Sequence, residues 1–135
     1  MSIVVEAIDH IVVNVRDVAV AAAWYQRVLG MTREDWQPRP DGPMRTTVKF
    51  GRQKINLRPF EASQQEWFTG KQVAPGSDDL CFLTTSTPQA VAEHLRASGV
   101  AIEVGPTDKR GAMGTIVSVY CRDPDGNLIE VSSYK

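Results

Sequence analysis

The chain has 135 residues, 42% of them apolar and 23% charged, with a net charge of −1, a make-up ordinary for a globular protein with a substantial core. No run of Lys or Arg points to nucleic acid or an anionic membrane. No stretch reaches membrane-spanning length, and the first residues lack a basic region followed by a long apolar run, so one cytoplasmic domain over residues 1–135 is expected.

Residues 7–15 read as a strand rich in Ile and Val. Asp17 can cap a helix over residues 18–29, and Gly30 stands where a left-handed residue would end it. Val18, Ala21, Ala22, Tyr25, Val28 and Leu29 give that helix an apolar stripe of helical period. Strands at about 31–36, 44–50 and 53–59 follow, separated by Pro38–Pro43 and by Gly51-Arg52. A polar connector over about 61–76 leads to a second series. It holds a strand at 78–85, a helix opened by Thr87-Pro88 and ended by Gly99, and strands at about 100–104, 115–121 and 127–133. Asp123-Pro124-Asp125-Gly126 between the last two favours a type I turn with a glycine bulge. Cys81 and Cys121, 40 residues apart in apolar runs, match no metal knuckle or redox pair and read as buried free thiols.

The two series repeat each other. Asp79 follows His10 by 69 residues, and Gly99 follows Gly30 by the same interval. The longer final turn widens the offset to 74, which pairs Asn56 with Glu130. Two copies of one β-α-β-β-β unit are expected, about 7–60 and 77–135, with matched positions facing a shared interior. Polar residues at those positions point to chemistry as well as fold.

Asp9-His10-Ile11, Trp24–Met31 and Asp123–Glu130, in this order around two such units, resemble the vicinal-oxygen-chelate superfamily of glyoxalase I, extradiol dioxygenases, fosfomycin-resistance enzymes and bleomycin-binding proteins. The resemblance covers essentially the whole chain. Phe50–Leu57, Pro75–Phe82 and Ser118-Val119-Tyr120 look most like the glyoxalase-domain-containing protein 5 group. The resemblance implies an α+β fold in which eight strands curl into a cup-shaped mixed sheet, as in glyoxalases and dihydroxybiphenyl dioxygenase. It further implies a divalent metal with ligands from the first and fourth strands of each unit, and a homodimer.

Carried over residue by residue, His10 falls on the first-unit histidine position and Glu130 on the final-strand glutamate. Asp79 stands where many metal-dependent members carry a second histidine, and Asn56 where glyoxalase I carries a carboxylate. His10, Asn56, Asp79 and Glu130 could still surround a cation; one imidazole and several oxygens suit Mn, Fe or Mg at least as well as Zn, and Ni is a further option. Asn56, without formal charge, would be the weakest ligand. Each position has a structural alternative: a hydrogen-bonded core histidine for His10, a strand-entrance cap for Asp79, and a buried amide serving the backbone for Asn56. An unpaired Glu130 among apolar neighbours would be costly, which favours ligation or service as a general base.

Side chains alternate along a strand, so Arg58 shares a face with Asn56 and is expected towards the rim of the cup, where a guanidinium favours an anionic substrate. An exposed arginine at a fraying strand end is the alternative. Lys109–Gly114 has the composition of a basic lid, with Lys109 and Arg110 as substrate contacts; a solvated loop is the simpler reading. Ser118 and Tyr120 share one strand face and could line the cavity, and Trp36, Trp67 and Phe68 could wall it. His94 is expected to be exposed.

The expected function is that of a metal-dependent enzyme resembling lactoylglutathione lyase, acting on a small anionic substrate by chelation of vicinal oxygens and proton transfer through Glu130. The alternatives are a metal-free binding or resistance protein like those that sequester bleomycin, and a ring-cleaving dioxygenase. The last is weakened because Asp79 replaces the second histidine of the usual iron site. No glutathione pocket can be read.

Overall fold

A computed structural model describes residues 2–135. Its elements run β1 (His10–Val15), α1 (Val18–Leu29), β2 (Thr32–Trp36), β3 (Arg45–Phe50) and β4 (Gln53–Pro59), then β5 (Asp79–Leu83), α2 (Pro88–Ala97), β6 (Val104–Gly111), β7 (Gly114–Arg122) and β8 (Leu128–Tyr134). The β-α-β-β-β order therefore occurs twice. Two compact units result, one ending at Val73 and one spanning Ala74–Lys135, with the boundary inside the expected connector. The eight strands form two four-stranded mixed sheets, each with one helix, an α+β fold. No helix among the described residues is long and apolar enough to cross a membrane.

In the first unit the strand order is β1-β4-β3-β2, with β1 parallel to β4 and the other pairs antiparallel. Asp17 caps α1 by accepting the Val20 amide at 3.0 Å, and Gly30 ends the helix at φ 66°, a conformation that costs glycine no Cβ clash. Ala21, Ala22, Trp24, Tyr25 and Val28 form its buried stripe. The helix packs on β3 and β4, and Val13, Val15, Val48, Ile55 and Leu57 are wholly buried. Each such residue contributes about 1.5–3 kcal/mol of transfer free energy. Because side chains alternate, the other face of β4 carries Lys54, Asn56 and Arg58.

The second unit repeats the pattern in the order β5-β8-β7-β6, with β5 parallel to β8. Thr87 caps α2 with Pro88 in its first turn; Ser98 is the C-cap, and Gly99 follows it at φ 74°. Val91, Ala92 and Leu95 form the buried face of α2, and Val119, Cys121 and Ile129 lie wholly buried in the same unit. The register reproduces the repeat: His10 pairs with Lys54, and Asp79 with Leu128, which are the positions shifted by 69 and 74.

β6 departs from expectation. It begins at Val104, where a strand over 100–104 was expected to end, and runs to Gly111, so Lys109 and Arg110 are strand residues rather than part of a lid. Val104–Gly111 contains Gly105-Pro106, has a register shift between Val104 and Thr107, and is mostly exposed. As the edge strand it needs hydrogen bonds on one side only, so it tolerates proline and lacks apolar alternation. Only Ala112 and Met113 separate it from β7.

The turn from β7 to β8 clasps the unit. Gly126 N–H donates to the Asp123 carbonyl at 3.0 Å with φ 92°. One Asp123 carboxylate oxygen accepts the Asp125 and Asn127 amides, and the other accepts Asn127 Nδ2 at 2.8 Å. Asn127 Oδ1 in turn accepts the Asp78 amide at 2.9 Å, tying the entrance of β5 to that of β8. Asn127→Ala leaves these groups unpaired in a buried place. It is expected to cost about 1–3 kcal/mol in urea unfolding, with the slope unchanged.

Candidate functional site

The chemistry-bearing residues lie on the sheet faces turned away from the helices. In the second unit the pairings Cys81–Glu130, Tyr120–Glu130 and Ser118–Ser132 set five polar side chains side by side. Glu130 is buried, and its Oε2 accepts the hydroxyl of fully buried Ser118 at 2.5 Å. Ser132 Oγ lies 2.7 Å from Ser118 Oγ and 3.4 Å from the same carboxylate oxygen. Cys81 Sγ is 3.5 Å from Ser132 Oγ. A carboxylate can only accept, so these hydroxyls replace the water that burial removes.

The surroundings respond to that charge. Burial, then the hydrogen bond to Glu130 and its charge, push the Tyr120 phenol from 10.0 up to about 12. The Cys81 thiol is raised by burial and, more weakly, by Glu130 and Asp79. Tyr120 and Cys81 thus stay neutral beside the Glu130 carboxylate at ordinary pH.

A cavity of about 440 Å³ opens over this cluster. Glu130, Tyr120 and Cys81 line it with Lys109 and Arg110; Leu83, Ile116 and Tyr134 supply apolar wall. Lys109 Nζ stands 5.8 Å from the centroid of the Tyr120 ring. Asp79 is exposed at the start of β5, on the face shared by Cys81 and Glu130. Sequence reasoning missed Ser132 and Cys81. Cys81 is exposed, not the buried thiol expected, whereas Cys121 is buried. Alternation could have found both, since each sits on the strand face that carries Glu130.

The first unit carries the other half of the expected set. His10 is 44% exposed at its side chain, with Nδ1 2.8 Å from the Asp9 carboxylate, so its other ring nitrogen is the one left to act. Asn56 is buried, and Thr47 Oγ1 lies 2.6 Å from its Oδ1. Among the described residues, no three His, Cys, Asp or Glu side chains are gathered closely enough to hold a metal ion. His94 is exposed. Trp36 and Trp67 flank Arg45, whose guanidinium carbon is 5.7 and 4.0 Å from their ring centroids, while Phe68 is exposed.

Arg58 requires a correction. It is wholly buried rather than at a rim. Its guanidinium donates to the Trp67 carbonyl at 3.1 and 2.9 Å, the Ala62 carbonyl at 2.6 Å and Asn14 Oδ1 at 2.7 Å. The donors are spent fastening the loop after β4 onto the sheet, because a buried charge must find partners and this loop offers a ring of carbonyls.

The profile of the glyoxalase/bleomycin resistance protein/dioxygenase superfamily matches residues 7–131. The chain belongs to that superfamily. It is 37% identical over 134 residues to a virulence protein of Salmonella typhimurium, STM3117, covering 99% of this chain and 88% of that protein. The crystal structure of that virulence protein superposes with a TM-score of 0.85, at 36% identity, over 98% of this chain and 100% of that one. An integron cassette protein from the mobile metagenome of V. cholerae, VCH_CASS1, is 37% identical with a TM-score of 0.90, each chain fully covered. A lactoylglutathione lyase from Agrobacterium tumefaciens is 26% identical with a TM-score of 0.68, over 94% of this chain and 92% of that one.

Two outcomes follow from these contacts. Arg58→Met should lower unfolding free energy by about 3 kcal/mol or more, since the carbonyls it serves lose their donors, and thermal unfolding reads the loss. Glu130→Gln removes the carboxylate that raises Tyr120, so the phenol should titrate below about 12 yet above its ordinary 10.0, burial persisting. Near-ultraviolet absorbance follows that ionisation once the signal of Tyr25 and Tyr134, read from Tyr120→Phe, is subtracted.

Proposed function

We propose that this chain is a glyoxalase-I-like enzyme, resembling lactoylglutathione lyase, that moves a proton on a small anionic substrate at the Glu130 cavity of the second unit. One observation carries the reading: a buried carboxylate, braced by hydroxyls, lines a cavity together with Lys109 and Arg110. A general base needs a fixed carboxylate that still faces substrate. Ser118 and Ser132 both address Oε2, so one oxygen is restrained. Lys109 and Arg110 would hold the anionic end of the substrate by charge. Glu130 would take a proton from the carbon or hydroxyl beside the substrate carbonyl, and the negative charge left behind would lie near these cations and the Tyr120 hydroxyl. Tyr120, neutral up to about 12, can donate a hydrogen bond without losing its proton.

A divalent cation, Mn, Fe, Ni, Zn or Mg, belongs to the same reading and when bound would stabilise charge on vicinal oxygens. The resemblance implies His10, Asp79 and Glu130 as its ligands, with Asn56 the weakest member of that set. The described residues do not gather three acidic, imidazole or thiol donors at one point, so the proton transfer above is derived from protein groups alone. The resemblance to the glyoxalase-domain-containing protein 5 group and a homodimer are part of this proposal. A second reading is a metal-free small-molecule binding or resistance protein. It is favoured by the hydroxyls that already satisfy Glu130 Oε2.

Hydrogen–deuterium exchange next to the carbonyl of small keto and hydroxy acids, followed by proton NMR in deuterated water, tests the first reading. Glu130→Gln should slow exchange by about a hundredfold or more, the usual contribution of a general base. Exchange that is undiminished in the variant rejects Glu130 as the base. Metal content of protein purified without chelator, on wild type, His10→Ala and Glu130→Ala, separates the two readings. Metal held by the wild type and lost in both variants supports the cation. Protein that stays metal-free on titration with all five ions, but retains ligand binding, supports the second.

A further inference from the structure

The face of the first unit's sheet turned away from α1 holds hydrogen-bond donors that the reading of Glu130 does not use. Trp36 Nε1, which can only donate, gives its hydrogen to Thr47 Oγ1 at 3.2 Å. Thr47 gives its own to Asn56 Oδ1 at 2.6 Å, a length that suits O–H···O and is short for an amide N–H. The amide oxygen is therefore the end committed to Thr47. Asn56 Nδ2 has no partner among the described residues. Every fully buried side-chain nitrogen or oxygen in the structure has one, so Nδ2 must reach solvent, although Asn56 as a whole is only 7% exposed.

Lys54 lies two residues earlier on the same strand face. Its ammonium has no carboxylate partner among the described residues and stands 5.2 Å from the Trp36 ring centroid. The same ring takes Arg45 at 5.7 Å, and Arg45 lies 4.0 Å from Trp67, so two indoles brace two cations. Glu34 is the acidic residue the register sets on this face, and its carboxylate is occupied by Lys49 at 3.5 Å. The patch is thus rich in donors and positive charge, and Lys54 and Asn56 Nδ2 are uncommitted there, beside His10, which the register pairs with Lys54 and whose Nδ1 holds the exposed Asp9 carboxylate.

We propose that Lys54 Nζ and Asn56 Nδ2 together bind an oxyanion, the carboxylate or phosphate end of a small molecule, on the face of the first unit's sheet turned away from α1. The assignment removes Asn56 from the cation ligands: the end it presents is a donor, and the neighbouring ammonium repels a cation. It is independent of the role given to Glu130. The Asn56 end of the pair is preorganised, because the Trp36–Thr47 chain fixes which way the amide faces before any ligand arrives.

The test is an NMR titration of isotope-labelled full-length protein, following the Asn56 side-chain amide signals, assigned by their loss in Asn56→Asp. Inorganic phosphate is the probe, at constant ionic strength with chloride as the control, and magnesium chloride is titrated separately. Phosphate should shift the Asn56 amide signals saturably, with acetate acting likewise and magnesium without effect. Lys54→Met keeps the long stem against Trp36 and should weaken phosphate by about tenfold, the loss of one charge-assisted hydrogen bond. Asn56→Asp should abolish the phosphate-induced shifts of neighbouring backbone amides. Signals unmoved by phosphate, an unchanged affinity in Lys54→Met with amide dispersion retained, or shifts caused by magnesium would overturn the assignment. Glu130→Gln is untouched by any of these outcomes, so the two proposals fail separately.

Discussion

Each sheet has one face on a helix, and that constraint decides where chemistry can be. A strand alternates, so seating Ile55 and Leu57 against α1 turns Asn56 and Arg58 the other way. Ile129 and Val131 likewise seat β8 and turn Glu130 and Ser132 out. A slip of one residue would put a carboxylate and a guanidinium against the helices and every apolar side chain in the open, so the register is strongly held. The parallel pairs β1–β4 and β5–β8 fix the remaining neighbours, and the clasp from Asp123 to Asp78 sets where the second of these pairs begins. The functional face is thus a by-product of packing the opposite one.

Burying Glu130 on that face makes a specific demand. A carboxylate removed from water needs donors, and the same register supplies Ser118, Ser132 and Tyr120 on the adjoining strand and on β8 itself. Burial first, and the anion after it, raise the affinity of its neighbours for their protons, so Tyr120 and Cys81 both shift upward. Arg58 solves the converse problem with carbonyl oxygens instead of an acid, so it adds no negative charge to its unit.

How much of this is legible in the sequence depends on whether a feature is local. Asp17, Gly30, Thr87 and Pro88 mark helix ends through contacts within a few residues, and the structure has those ends within a residue. β4 over 53–59 is bounded by its turn and its alternation and matches residue for residue. β6 was hidden because an edge strand needs neither alternation nor freedom from proline. Arg58 could be assigned a face but not a fate, since its partners Trp67, Ala62 and Asn14 are brought to it by the loop and by β1. Alternation gives Ser132 the face of Glu130 and Cys81 the face of Asp79, but the partners that make them notable come from the pairing of β8 with β5 and β7.

The two units also show how one geometry can hold opposite chemistries. Thr47 stands across from Asn56 as Tyr120 stands across from Glu130, so in each pair a hydroxyl-bearing side chain on the third strand faces an oxygen-bearing one on the fourth. What is left over differs. An amide whose oxygen is taken has only N–H groups to present, whereas a carboxylate has only a further oxygen. The first unit therefore offers donors at this position, reinforced by Lys54 over Trp36, and the second offers an acceptor braced by Ser118. One change of a terminal group, amide against carboxylate, at equivalent register positions is enough to make one half suited to holding an anion and the other to receiving a proton. The sheets themselves need not change, because the apolar faces that fix the register are the same in kind in both.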